Sequence, residues 1–588
     1  MPRPHFCLKG AGLAFSASVI VGFLRKYRSL LSLGAAATLA ELAYAILNLS
    51  ALPMYVSFVL KEQAALGIVI STFLLTEALS RPWFGALGDR IGRKPLLIIG
   101  PAVTAVTAFL TIKLQGPFAI YGLLILKALD GLGSGALWIN AFAAVGDVVE
   151  EEHHSAAMSM LNVTYMSGIA LGFLFGGLVN QVFHSYLASF YLVSALLVGS
   201  VIIMVALLPK KIGGARVEHS PIHDHVELTT LEEQPKEFKL SSILRGFRDV
   251  PDMLAVACVT FLGIGTLMPV VKLYAVQHLD LSETAFGLAV APVAAAMGVF
   301  AVPLGRLGDK YGRCVAVCWG LFASAMALWV LALFRSTILA GIAGIAIGLG
   351  FTVAFPAWMA LVASATSADR RGEVLGAVGA VQGLAAIVGT ALGGYMYSND
   401  YLSFPRLGVV NYNVPFWWSA ILMSAATVMG FTWMCKRHSA RDTGCGIKPW
   451  QRKMVVAASV IGLVSLVTWI GWRYSKPVPA ERVAWQWVQQ LHRGKPDKAV
   501  KYTVREGPGG WDGYEMSRRT AGLYGKYDKK YDILWYTVYY PVWLSPKQVE
   551  VRVKFVLRGN KLHYSRITLC RPGRDWKVCG VEQEEDRF

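Results

Sequence analysis

Charge is scarce in this chain and leans one way: Asp, Glu, Lys and Arg make up 16% of 588 residues, with 56 basic against 37 acidic side chains. That is too little polar material to cover a soluble body of this length. With 55% hydrophobic residues and a mean hydropathy of +0.48, the lipid bilayer is the expected solvent for most of the chain. The eight cysteines contain no CxxC pair, and no Cys/His spacing suits zinc, so no metal or other cofactor is expected. A phosphate-cradling glycine loop is missing, which excludes a nucleotide-driven pump. A nucleophile–base pair is missing too, which argues against an enzyme. The net charge of +19 falls in short clusters between apolar runs, without a continuous basic face, so nucleic acid is not an expected partner. Retention of Lys and Arg on the cytoplasmic side of a membrane accounts for it better.

A membrane-crossing helix needs about 20 apolar residues. By that measure the chain holds twelve candidates in two groups of six. The first group is 30–56, 64–86, 96–115, 118–146, 156–180 and 186–208; the second is 253–277, 284–306, 314–334, 337–365, 373–397 and 413–435. Residues 1–29 form a leader whose apolar run, Gly10 to Leu24, is too short to span. A polar central loop, 209–252, separates the groups, and its scattered His219, His223 and His225 suit a solvated loop. A basic linker, 436–453, precedes a thirteenth apolar run at 454–473. Arg25, Lys26, Arg28, Arg90, Arg93, Lys94, Lys210, Lys211, Lys310, Arg313, Arg370, Arg371, Lys436 and Arg437 all fall on one side if the N-terminus is cytoplasmic. The tail, 477–588, then lies outside the cytoplasm.

The two groups repeat a motif. Gly85-Ala-Leu-Gly88-Asp89-Arg90-Ile-Gly92-Arg93-Lys94 follows the second span, and Gly305-Arg-Leu-Gly-Asp309-Lys-Tyr-Gly312-Arg313 follows the eighth. Gly172, Gly176 and Gly177 in the fifth span are echoed by Gly389, Gly393 and Gly394 in the eleventh. The first motif resembles the loop 2–3 signature of the major facilitator superfamily, and the second stands where that family keeps its degenerate copy. The resemblance covers about residues 30–435. It implies an all-α membrane protein of two six-helix bundles, to which the thirteenth span and a small α+β domain are added. It also implies a loop that latches the cytoplasmic side.

The residues of the motif suit the parts of such a latch. Gly85 and Gly88 permit close helix packing, and Gly92 permits a turn that other residues resist. Asp89 is suited to the positive N-terminal end of the eleventh helix, and Asp309 to that of the fifth. Arg93 is placed to bridge Asp147 at the end of the fourth span. The bland alternative is that these charges only anchor topology.

Charges inside spans are costly and mark function by default. The resemblance places spans 1, 4, 7 and 10 around a central cavity, which admits Glu41, Lys127, Asp130 and Lys272, with Gln382 as further polar surface. Lys127-Ala-Leu-Asp130-Gly131-Leu-Gly133 is similar to a motif of proton-linked members, with Lys in place of Arg and Asp in place of an amide. The pair reads equally as a proton site or as a structural ion pair. Gly168, Gly172, Gly176 and Gly177 are similar to the antiporter stripe of drug exporters, with Phe173 replacing the proline; such stripes also serve plain helix packing.

In the tail, an amphipathic helix near 481–501 precedes alternating segments that read as antiparallel strands, a pattern similar to NTF2-like domains. Cys570 and Cys579 flank a turn and are candidates for a disulfide. The expectation is a monomeric secondary transporter of a small solute, working by alternating access in a bacterial plasma membrane. Protons are the expected coupling ion and amphipathic compounds the favoured cargo. The rival is a membrane sensor or scaffold whose outer domain binds a ligand or partner.

Overall fold

The computed structural model describes residues 28–116, 118–148, 154–209, 250–293, 312–365, 371–398, 411–438, 480–492, 495–505, 512–524, 533–538, 542–545, 547–557, 562–572 and 576–584. Most of the leader, of the central loop and of the basic linker, and all of the expected thirteenth span, lie outside these residues, as does Asp309. Among the described residues, ten helices are long and apolar enough to cross a membrane. Together with two that fall short of that measure, α5 and α8, they form two sets of six; the first is α1 Leu31–Val59, α2 Gln63–Ile91, α3 Arg93–Thr111, α4 Ala119–Val148, α5 His154–Val182 and α6 Ala188–Leu207. The second set is α7 Pro251–His278, α8 Glu283–Val293, α9 Arg313–Leu333, α10 Thr337–Ala365, α11 Arg371–Ser398 and α12 Val414–Arg437.

Each set of six packs as its own bundle, and the two are built alike. In the first, α1 lies on α5 and α6, while α4 lies on α2 and α3; in the second, α7 lies on α11 and α12, while α9 lies on α10 and α12. The motif turns also correspond. Gly92 separates α2 from α3 at φ 90°, and Gly312 precedes α9 at φ 99°. Both values lie in the region a side chain resists, which accounts for a glycine at each place. Lys94 then reaches across to donate to the carbonyls of Leu208 (2.6 Å) and Val205 (3.0 Å), satisfying orphan acceptors at the end of α6. Helix α1 departs from regular winding, with π-helical turns at Ile46–Ala51 and Tyr55–Val59.

Small residues set the spacing inside each bundle. A Cβ placed on Gly172 would fall 2.4 Å from the Cβ of Ala45, and one on Gly176 2.3 Å from the Ser50 hydroxyl, so α5 lies directly on α1. The second bundle repeats this contact. A Cβ on Gly389 would fall 2.3 Å from the Leu262 carbonyl oxygen, and one on Gly393 2.0 Å from that of Thr266. These glycines of both halves thus lie in close helix contact.

Two disulfides are present among the described residues. Cys314 at the start of α9 joins Cys435 in α12, with Cys318 Sγ 3.4 Å from Cys435 Sγ. Cys570 joins Cys579 in the tail. From Ala480 the chain forms α13 Ala480–His492, α14 Pro496–Ala499 and α15 Gly513–Tyr524. Five strands follow: β1 Ile533–Val538, β2 Val542–Ser545, β3 Gln548–Leu557, β4 Leu562–Cys570 and β5 Lys577–Glu584. The sheet is antiparallel in the order β1-β3-β4-β5, with β2 also on β3. Its buried face, including Val551, Val553, Phe555 and Ile567, packs with Trp487 and Leu491 of α13.

Gly172→Leu is expected to lower thermal stability in detergent, by roughly 1–3 kcal/mol for forced overpacking. Gly199→Leu, at a position with open space around it, is the matched control and is expected to unfold with the parent.

Candidate functional site

The two bundles meet closely at the end of the molecule opposite the motif loops, here called the far end. Two glycines make this possible. A Cβ on Gly394 of α11 would fall 2.4 Å from the Gly67 nitrogen of α2. One on Gly177 of α5 would fall 2.5 Å from the carbonyl oxygen of Glu283 at the start of α8. So in each Gly-Gly pair the first glycine packs within its own bundle and the second packs against the other bundle. Gly287 of α8 adds to the seam, its virtual Cβ lying 2.6 Å from Leu174 Cα. Ser71 of α2 donates to the Ile387 carbonyl of α11 at 2.9 Å.

A charged cluster closes the same end. Lys272 Nζ of α7 lies 2.6 Å from Glu283 Oε2 of α8. It also donates to the carbonyl (3.0 Å) and hydroxyl (2.6 Å) of Ser50 in α1, and Asn180 of α5 donates to Glu283 at 3.2 Å. One ion pair thus ties four helices from both bundles. The expectation for Lys272 was open cavity surface; it is instead 2% exposed and committed to this closure. Glu283 was missed in the sequence because it stands at the border of a span and eleven residues from Lys272, with no helical spacing to relate them.

Among the described residues the motif end is open: Cβ atoms placed on Gly376, Gly379 and Gly383 of α11 would meet none of them within 4 Å. A crevice of about 880 Å³ runs along the motif half of α2, lined by Thr76, Trp83, Phe84, Leu87 and Arg90, with Leu132 of α4. Asp89, expected at the N-terminal end of the eleventh helix, is paired in this state with Arg93, its side chain 65% exposed. Arg93 also donates to the Gly85 carbonyl at 3.2 Å; the side chain of its expected partner Asp147 lies outside the described residues. Gly88 makes room for Asn140, whose Oδ1 would sit 2.0 Å from a Cβ there. Gly85 is different: its nearest neighbour would be Ile139 at an ordinary 3.5 Å, so close packing does not demand a glycine there. Arg313 donates to the Ala360 carbonyl of α10 at 3.4 Å.

Between the two ends lies a buried polar chain. Lys127 Nζ is 2.7 Å from Asp130 Oδ2, and both side chains are wholly buried. Thr107 of α3 donates to Asp130, and Lys127 also reaches Asn48 of α1 at 3.3 Å. Tyr44 of α1 and Thr104 of α3 share a 3.0 Å hydrogen bond nearby. The pair was expected on the cavity wall; it sits instead inside the first bundle, between α1, α3 and α4. Glu41 is also buried, against Gly168 of α5 and within hydrogen-bonding reach of Trp138 in α4. Glu77 binds Arg81 at 2.8 Å and accepts from Ser134 of α4 at 3.1 Å, joining α2 to α4. Gln382 is far from all of these. It lines a small apolar cavity of about 50 Å³ in the second bundle, with Thr260, Phe351, Phe355 and Trp358.

Such a body, two like bundles shut at one end and parted at the other, is the architecture of an alternating-access carrier. The family model of the Major Facilitator Superfamily matches residues 13–251 and 253–469. The chain belongs to the major facilitator superfamily. Within it, the chain is 28% identical over 148 residues to the inner membrane transport protein YajR of Escherichia coli, covering 25% of this chain and 31% of that one. It is 21% identical over 333 residues to the proton-coupled antiporter flippase LtaA of Staphylococcus saprophyticus, covering 56% and 77%. A crystal structure of a D-xylose-proton symporter superposes with a TM-score of 0.53 at 14% identity, covering 69% of this chain and 97% of that one. The superfamily relatives are transporters rather than enzymes.

Removing one member of a dry ion pair strands the other. Asp130→Asn is therefore expected to lose about 3–5 kcal/mol of stability, and Lys127→Met/Asp130→Leu much less. Thermal unfolding of the purified variants measures the difference; equal losses would show that the ion pair is not what the site depends on.

Proposed function

We propose that the chain is a proton-coupled secondary transporter that exports small amphipathic compounds by alternating access. The observation that carries this is the asymmetry of the two ends: the far-end seam is closed by Gly67, Gly177, Gly394 and the Lys272–Glu283 pair, while α11 stands clear at Gly376, Gly379 and Gly383. With the basic loops on the cytoplasmic side, this is an inward-open carrier. The motif loop then belongs to the alternate state. When the motif end closes, Asp89 exchanges its Arg93 partner for the N-terminal end of α11, and at the far end Lys272 leaves Ser50 of α1 while Glu283 leaves Asn180 of α5.

Lys127–Asp130 is the proposed proton site. Protonation of Asp130 would leave a neutral acid and a lone buried ammonium, a costly arrangement that favours rearrangement of Asn48 and Thr107 around it. Glu41, close to Glu77 and buried on α1, is the second carboxylate placed to exchange a proton with the crevice. Transport in the direction of the far end follows the named activity of the antiporter flippase relative, as does an amphipathic cargo. The tail is proposed to lie outside the cytoplasm as an NTF2-like unit; three helices followed by an antiparallel sheet support that reading.

Everted membrane vesicles given ethidium in the external medium as the probe cargo test the proposal. Collapsing the pH gradient with nigericin is expected to slow ATP-independent uptake at least about tenfold, and Asp130→Asn to abolish it at equal protein level. Undiminished uptake after collapse removes protons as the driving ion. Undiminished uptake by Asp130→Asn removes the ion pair from the cycle.

A further inference from the structure

The tail domain touches the far end at three places, and they are not on one bundle. Strand β1 runs against Tyr55–Val59 of α1 and also against Val271–His278 of α7, so one strand spans the seam between the bundles. Beside it, Lys554 of β3 pairs with Asp280 at 2.9 Å. Lys554 faces Thr537 of β1 in the sheet register, so the ion pair and the strand across the seam move as one piece. On α13, the Trp485 ring stands edge-on to Tyr412, 5.2 Å away, and 6.2 Å from His278. Tyr412 and His278 are themselves stacked at 3.9 Å.

Asp280 sits in the turn between α7 and α8, at φ 55°. Three residues later stands Glu283, the acid that closes the seam with Lys272 and Asn180. The same short turn is therefore held from above by the domain and from within by the gate. Parting the bundles at this end requires β1 to leave Tyr55–Val59, because Lys554 and Trp485 both hold the domain to the second bundle.

We infer that the C-terminal domain is a strap: it rides on the second bundle and, through β1 and the Lys554–Asp280 pair, holds the far end closed. Its release from α1 is a required part of every far-end opening. The domain thereby sets how often the carrier exposes its interior on that side. This inference rests on the alternating-access reading above, and its test does not use transport.

The test follows a thiol in the seam. Ser71→Cys is placed in the full chain with Cys7, Cys258 and Cys445 changed to Ser, and a membrane-impermeant maleimide is added on the face that carries the tail domain. Ser71 is 8% exposed in the closed seam. Lys554→Glu is expected to speed labelling about fivefold, the low end of ordinary coupling between sites, and Lys554→Glu/Asp280→Lys to return it to the parent rate. An unchanged rate in Lys554→Glu, or a raised rate that the reversed pair does not restore, overturns the strap. Glu283→Gln opens the gate directly and separates the two ideas. If it speeds labelling while Lys554→Glu does not, the strap alone falls; if neither does, alternating access at this seam falls with it.

Discussion

The structure depends on the approach of backbone to backbone where side chains are missing. Within lipid there is little hydrophobic drive between helices, so contact area and close packing must hold a bundle together. The paired glycines answer this twice over. Gly176 and Gly393 bring α5 onto α1 and α11 onto α7, and their neighbours Gly177 and Gly394 meet α8 and α2 of the other bundle. One residue's difference in the helix turns the contact from inside a bundle to across the seam. The same dipeptide thus makes a permanent interface and a separable one.

Polar contacts distribute by the same logic. Those inside a bundle are dry, as in the chain of Lys127, Asp130, Thr107 and Asn48. Those across the seam also use backbone and small hydroxyl groups, as Ser50 and Ser71 do, which can be exchanged for water when the seam parts. Contacts that must break in each cycle are better built from groups that hydrate readily, and Lys272 on Ser50 and Glu283 on Asn180 fit that need.

Much of the fold was legible in the sequence because its signals are local or repeated. Apolar runs of spanning length, two copies of one loop motif and two glycine stripes announced the bundles and their symmetry. Gly92 and Gly312 could be read as turn residues because their backbone angle is a local property. What could not be read was set by pairing over distance. Glu283 belongs with Lys272 only after α7 and α8 fold against α1 and α5, and Cys314 meets Cys435 across a separation of 121 residues. The environment of Lys127 and Asp130 was likewise hidden. Three-residue spacing put them on one face, but whether that face looks into water or into α3 is a matter of helix rotation. Asp89 shows a different limit, since its partner depends on which state of the carrier is populated.

The closed far-end seam also works as a fulcrum. Among the described residues its close contacts gather at one end, with the hydrocarbon thickness of a bilayer, roughly 30 Å, beyond it. A lever of that length turned by about 10° sweeps its free tip through roughly 5 Å, the pitch of one helical turn. A rotation too small to disturb the packing of either bundle is therefore enough to admit a hydrated solute at the motif end. The glycines, by letting the pivot be so thin, place nearly the whole length of the molecule on the moving arm.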